Sequence, residues 1–300
     1  MADLAILYEH PLWFRPLFAA LDARGVDYVA IQADDHGFVP GASPPPARLI
    51  LNRLAQSSFL RSAEHPLFYA AALFDEWERQ GAAIINGGRA FAIDSSKARQ
   101  LSLIASLGFD IPATRVVHRA ADVVAAADGL RFPIVVKANI GGSGAGIVRY
   151  DNLSELKVVA AENGFPASID SVLLVQEYVP TRGGRITRLE TLDRKFLYAI
   201  DVEGGGAFDL CPADACVADS NIKLTRADPD PQLIAAAERI AETMDLDVGG
   251  IEVMIDDRDG TPRFYDINAL SNFVADPLTV LGWDPHEKLV DYLQQRIARA

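Results

Sequence analysis

Cysteine is scarce in this 300-residue chain: Cys211 and Cys216 are the only two, set in Cys211-Pro212-Ala213-Asp214-Ala215-Cys216. A secreted disulfide scaffold carries more. A zinc site needs two further ligands close by, and His10, His36, His65, His118 and His286 are scattered. The pair therefore reads as reduced thiols in or beside a loop. Long apolar runs are missing too, so no stretch is expected to span a bilayer. The opening residues form a short strand with no basic segment before it, unlike a signal peptide. Positive charge is also short, with 28 Lys and Arg against 41 Asp and Glu, a net charge of −13 and a pI near 4.8. This argues against a nucleic-acid partner, because binding the phosphate backbone needs clustered cations. A local basic pocket can still hold phosphate on an acidic protein. The expected compartment is the cytoplasm, with no membrane partner; a homo-oligomer is left open. No Ser–His–Asp or Cys–His arrangement and no internal repeat is found.

What is present fits a globular protein of two or three subdomains: half the residues are hydrophobic and 23% charged. Residues 1–93 alternate strand and helix, which implies a parallel open sheet. Strands are expected at 4–8, 26–31, 47–52 and 82–86, and helices at 11–23 and 67–80. Residues 94–179 carry a helix near Ser95 to Leu107, a strand ending at Lys137, a glycine loop, a returning strand and a closing strand that ends at Gln176. Residues 180–300 are mostly hairpin, with a helix from Pro231 to Met244 and a final helix. That last helix opens on Asp284 as cap, Pro285 at the first position and Glu287 three residues after the cap.

Chemistry concentrates in the last two thirds. Gly141-Gly142-Ser143-Gly144-Ala145-Gly146 follows Lys137 and precedes the β-branched Ile147-Val148. A dinucleotide fingerprint would pass from strand into helix, and a P-loop would end in Gly-Lys-Ser/Thr. Here the loop joins two antiparallel strands, as a phosphate-covering flap requires, because glycines let the backbone close over a ligand. Near the C-terminus, Glu252 lies on one strand and Asp266-Ile267-Asn268 on the next. Alternation puts Asp266 and Asn268 on one face with Glu252 opposite. Three oxygen donors without His or Cys specify a hard ion, Mg²⁺ or Mn²⁺. Without metal two close carboxylates repel, so neutralising either is expected to raise the melting temperature.

The order of these features resembles the ATP-grasp superfamily, closest to carboxylate–amine ligases of the RimK/glutathione synthase type. The resemblance implies an α/β fold with an N-terminal parallel-sheet pre-ATP-grasp domain (1–93), a central lid (94–179) and a C-terminal antiparallel-sheet domain (180–300). It implies ATP and Mg²⁺ (or Mn²⁺), with small-molecule carboxylate and amine substrates, the amine being that of an amino acid or peptide. Lys97 and Lys137 would contact phosphates under a flap of Gly142, Ser143 and Gly144. Gln176, Glu177, Tyr178 and Val179 would form the hinge that holds adenine. Where many relatives place an acid for the ribose, this chain has Thr181-Arg182-Gly183-Gly184-Arg185. Arg188 would steady the acyl phosphate, with Arg185 as competitor. Arg53 is a candidate for a substrate carboxylate or equally for a salt bridge, and Asn86 and Asn221 match family asparagines. Two other readings stay open: a kinase that stops at phosphoryl transfer, and a nucleotide-binding regulatory protein without turnover.

Overall fold

A computed structural model describes residues 2–10, 12–62, 64–142, 146–204 and 222–299. Ser143, Gly144, Cys211, Cys216 and Asn221 lie outside the described residues. In chain order the elements are β1 (Ala2–Tyr8), α1 (Arg15–Ala23), β2 (Tyr28–Gln32), β3 (Ala47–Arg53), α2 (Pro66–Arg79), β4 (Ala83–Ile85), α3 (Gly88–Asp94) and α4 (Lys97–Ser106). Then come β5 (Thr114–Val117), α5 (Val123–Ala126), β6 (Ile134–Ala138), β7 (Ile147–Tyr150), α6 (Leu153–Ala161) and β8 (Leu173–Glu177). The remainder is β9 (Arg185–Leu192), β10 (Lys195–Glu203), β11 (Lys223–Ala227), α7 (Pro231–Met244), β12 (Val248–Ile255), β13 (Pro262–Asn268), α8 (Pro277–Val280) and α9 (Pro285–Ile297).

Three sheets result. The first is parallel, in the order β2-β1-β3-β4. The second, β5-β8-β6-β7, and the third, β11-β10-β9-β12-β13, are antiparallel. The parallel strands have helices to cover them, and most of β3 and the centre of β1, Leu4 to Leu7, are accordingly buried.

Packing crosses the segments that the sheets define. Helix α9, at the far end of the chain, puts Leu289, Val290 and Leu293 into one core with Leu4, Leu49 and Leu51 of the first sheet. Helix α4 puts Ile104 into the core of the third sheet, with Leu189, Ile251 and Ile267. Among the described residues, no helix is long and apolar enough to cross a membrane.

Two local expectations are corrected. The helix expected near Ser95 to Leu107 is α4, which starts only at Lys97, and a further short helix, α3, precedes it. Ser96 is extended (φ −151°), which breaks the chain after α3, and its hydroxyl caps α4 by accepting from the Arg99 N–H. Lys97 thereby becomes the first residue of α4. At α9, Asp284 does cap, accepting from the His286 N–H at 2.9 Å. Glu287 does not reach back to close a box; its carboxylate takes Arg24 at 2.7 Å instead.

The first and third sheets are tied by one side chain. Asn86, wholly buried at φ 54°, donates from Nδ2 to the carbonyls of Val248 and Ala269, both at 2.6 Å. Its Oδ1 accepts from the N–H groups of Asp247 (2.9 Å) and Val248 (3.2 Å). Asn86→Ala would strand several buried backbone groups at once, each at about 1–3 kcal/mol. We expect a loss of about 3 kcal/mol or more by urea denaturation; a change below about 1 kcal/mol would mean the tie is dispensable.

Candidate active site

A cavity of about 780 Å³ opens where the three sheets meet. Every candidate site residue among the described ones reaches its wall except Arg53 and Arg185.

The lysine end of the cavity is built by β6, β7 and α4. Lys137 is the fourth residue of β6, almost fully buried among apolar neighbours. Burial, and next the charge of Lys97, push its ammonium down to about 7. Lys97 arrives from α4, whose first turn is held onto β6: Asn139 accepts the Lys97 N–H at its carbonyl (3.1 Å) and the Ala98 N–H at Oδ1 (2.9 Å). Asn139 went unnoticed in the sequence, yet it brings the two lysines to one wall. β6 and β7 pair antiparallel, as a hairpin flap requires. Gly142 lies against the 3₁₀ turn Gln56–Leu60, and a Cβ there would meet the Cβ of Ser57 at 2.7 Å.

At the hinge, Val135, Ile147, Ile186 and Met254 give apolar walls. The N–H of Glu177 donates to the Ala113 carbonyl and that of Tyr178 to the Pro133 carbonyl, both at 2.9 Å. These two N–H groups are therefore taken, and a purine edge expected at this stretch would be left its carbonyls and the Val179 N–H. Gln176 turns its amide to Thr114 Oγ1 at 2.7 Å. The Arg149 guanidinium lies 4.6 Å from the centre of the Tyr178 ring.

The carboxylate end rests on β12 and β13. Glu252 stands directly across from Asp266, and Gly250 across from Asn268. Each acid also holds a cation: Lys97 Nζ bonds Asp266 Oδ1, and Arg188 donates to Glu252 Oε1 at 3.2 Å. Arg188 donates further to Glu190 (2.7 Å) and to Ser271 Oγ (3.3 Å). The ion pair of Arg188 with Glu190 is thus buried rather than superficial. Tyr265 and Asn268 complete Glu252, donating at 2.6 and 3.2 Å. Strict alternation would turn Tyr265 away from Asp266, but a bulge after Glu252 leaves Tyr265 unpaired in the register and brings its hydroxyl to Glu252. Burial, and next the charge of Asp266, still hold the Glu252 carboxyl above the usual carboxylate range.

Behind this wall, Gln100 accepts the Ile267 N–H and donates to the Ile267 carbonyl, at 3.0 and 2.9 Å, closing the edge of β13 between Asp266 and Asn268. Asp94 accepts from the Ala269 N–H and from Gln56. A Cβ on Gly250 would strike Arg188 Cζ at 2.7 Å. The pair Gly249-Gly250 inside a strand was the one sequence signal for such a close approach.

Two candidates stand off the wall. Arg185 is exposed and 3.5 Å from Asp201, because alternation along β9 turns it from the face that Ile186 and Arg188 share. Arg53 ends β3 fully enclosed, its Nε and Nη1 without a hydrogen-bond partner among the described residues. Burial lowers its guanidinium to about 10, and the facing Glu190 opposes that fall.

A parallel-sheet domain, a hairpin flap with its lysine, a hinge, and an antiparallel sheet presenting paired carboxylates to the same cavity define an ATP-grasp fold. The solved ATP-grasp ligase PsnB, bound to a minimal precursor, superposes with a TM-score of 0.73 over 98% of this chain and 99% of its own, at 16% identity. PsnB has also been solved with Mg and ADP (TM-score 0.72, 16% identity, 99% of each chain). A family model described as RimK-like ATP-grasp domain matches residues 94–293, and the chain belongs to that family. A probable alpha-L-glutamate ligase of Pectobacterium carotovorum is 27% identical over 237 residues, 77% of this chain and 73% of the relative. A ribosomal protein bS6–L-glutamate ligase of Shigella boydii is 30% identical over 208 residues, 67% and 64%. The protein is an ATP-dependent carboxylate–amine ligase.

The cations alter the expectation for the metal-free protein. Asp266→Asn strips the buried Lys97 of its partner and should lower the melting temperature, by the equivalent of about 1–3 kcal/mol. Glu252→Gln should do the reverse. A carboxyl raised in the folded state loses stability as pH climbs from its unfolded value through its folded one, and the amide escapes that loss. Melting curves at pH 5 and pH 8 check this: the margin of the Gln variant over the parent should widen at pH 8. Two variants that shift together would contradict the pairing described here.

Proposed function

We propose that the enzyme joins the carboxylate of one substrate to the amine of an amino acid or peptide at this cavity, by way of an acyl phosphate. The observation that carries the reading is the placement of Lys137, Lys97, the hinge and the Glu252–Asp266 pair on one wall system. Lys97 and Lys137 would bind the phosphates, and the hinge the adenine. Glu252, Asp266 and Asn268 suit a hard divalent cation, Mg²⁺ or Mn²⁺. Two carboxylates and an amide oxygen are fewer donors than such an ion takes, and phosphates and water would supply the rest. The burial and repulsion that disfavour ionised Glu252 are what an added cation relieves. When bound, that ion supplies charge neutralisation to the phosphates.

With ATP so held, the substrate carboxylate would attack the γ-phosphorus in line with the departing ADP. Arg188 reaches the same wall as Glu252 and would offer its remaining donor capacity to the acyl phosphate. The flap around Gly142, seated against Ser57, would exclude the water that hydrolyses this intermediate. The amine would then take the acyl group, releasing phosphate. Residues 1–93, 94–179 and 180–300 would act as substrate-binding, lid and catalytic segments, and the cytoplasm is the proposed compartment. The relatives named for glutamate make L-glutamate the first amino acid to try.

Both parts of this reading are measurable. ADP release should depend on one or a few amino acids or dipeptides in a screen headed by L-glutamate; ADP formed at the same rate without any amine would point to a kinase instead. Lys137, lowered to about 7 in the free protein, must be charged to hold phosphate. Binding of Mg-ATP at pH 8 should therefore take up close to one proton, seen by calorimetry in buffers of different ionisation heat. Lys137→Met should remove the uptake and weaken binding at least tenfold while the fold persists. Parent-like affinity in that variant would remove Lys137 from the site.

A further inference from the structure

The cavity wall carries a further pair that the scheme above leaves unused. His286 and Asp284 both line the cavity. His286 Nδ1 is 2.8 Å from Asp284 Oδ1. A carboxylate only accepts, so Nδ1 carries the hydrogen and the lone pair is on Nε2. Asp284 is itself immobilised as the cap of the 13-residue helix α9. Nε2 makes no hydrogen bond among the described residues and is not fully enclosed, and the residue lines the cavity. The ring is otherwise buried and packs edge-on against Phe273, with centroids 5.2 Å apart. Phe273, at φ 59°, donates its N–H to Ser271 Oγ (3.0 Å), the same oxygen that Arg188 Nη2 contacts at 3.3 Å. Three contacts, through Phe273 and Ser271, thus link His286 to the guanidinium assigned to the acyl phosphate.

Three other acids on this wall are committed. Asp266 holds Lys97, Glu252 holds Arg188, and Asp94 accepts from Gln56 and Ala269. An amino-acid amine reaches a neutral-pH active site as an ammonium and cannot attack until it loses a proton. We propose that His286, held by Asp284, is the general base that takes this proton from the amine substrate. The proposal rests on the ligase reading above.

The ammonium gives one proton to Nε2. The freed lone pair forms the C–N bond, and the C–O bond to the phosphoryl group breaks with its electron pair leaving on phosphate. The second proton lost from nitrogen goes to the departing phosphate, and His286 returns its own to solvent. The charged groups facing the ring are Asp284 from its own helix and Arg53 from β3. Burial first, and Arg53 after it, lower the imidazole and keep it neutral at the pH of reaction, while Asp284 opposes them.

The test uses the full-length enzyme with Mg-ATP and L-glutamate, or whichever amino acid the screen returns, as carboxylate and amine. Hydroxylamine serves as a second nucleophile, because it is largely unprotonated at neutral pH. His286→Gln should cut amide formation roughly 100-fold and abolish its acid limb, yet leave hydroxamate formation within about twofold of the parent. A histidine that only packs would lower both products alike, and that result, or an unchanged acid limb, overturns the proposal. If His286→Gln does not fold by thermal melting, Asp284→Asn decides. It keeps the cap but removes the charge that supports the imidazolium, so the acid limb should move to lower pH; an unmoved limb overturns the assignment. Absence of amino-acid-dependent ADP release in the parent would instead sink the underlying ligase reading and be recognised as such.

Discussion

Two carboxylates face one another across β12 and β13 in a largely buried wall, and neither is tolerable there without a cation. Much of the molecule serves that requirement. Lys97 comes from a helix that begins where it does because Ser96 breaks the preceding one and Asn139 pins the first turn to β6. Arg188 comes from β9, and fits only because Gly250 beside it has no side chain. The strand edge that carries Asp266 and Asn268 is closed by Gln100 from the same helix as Lys97. A single helix thus delivers the counter-charge and fixes the strand that needs it.

The same constraint explains why the cores interlock instead of forming separate bodies. Holding charges at fixed separation needs rigid supports on several sides. α4 is packed into the third sheet and α9 into the first, while Asn86 joins the first sheet to β12 and the residue after β13. Asp247 adds a second tie, accepting from the Tyr292 hydroxyl of α9 at 3.0 Å. The cavity lies between parts that hold each other, with Gly141 and Gly142 on its wall.

Much of this was legible in the sequence, for reasons that are local. Alternating strand and helix foretold the parallel sheet. The β-branched run after the glycine loop foretold an antiparallel return, and the spacing of Glu252 from Asp266 foretold their opposition. What escaped depends on geometry that composition does not encode. The short helix α3 has no strong apolar period. Tyr265 reaches Glu252 only through a bulge. Asn139 and Gln100 are ordinary polar residues whose roles come from backbone groups far along the chain. Arg185 and Arg188 were rivals on paper, and alternation along β9 separates them.

The account centres on a carboxylate that is phosphorylated before an amine attacks it, and the fate of one oxygen tests that directly. The substrate that supplies the carboxylate, labelled there with ¹⁸O, would be converted with Mg-ATP and the amine, and the released phosphate examined by ³¹P NMR. An acyl phosphate passes one carboxylate oxygen to phosphate, so the isotope-shifted signal should account for one labelled oxygen per amide formed. Unlabelled phosphate, or label appearing in AMP, would contradict the mechanism.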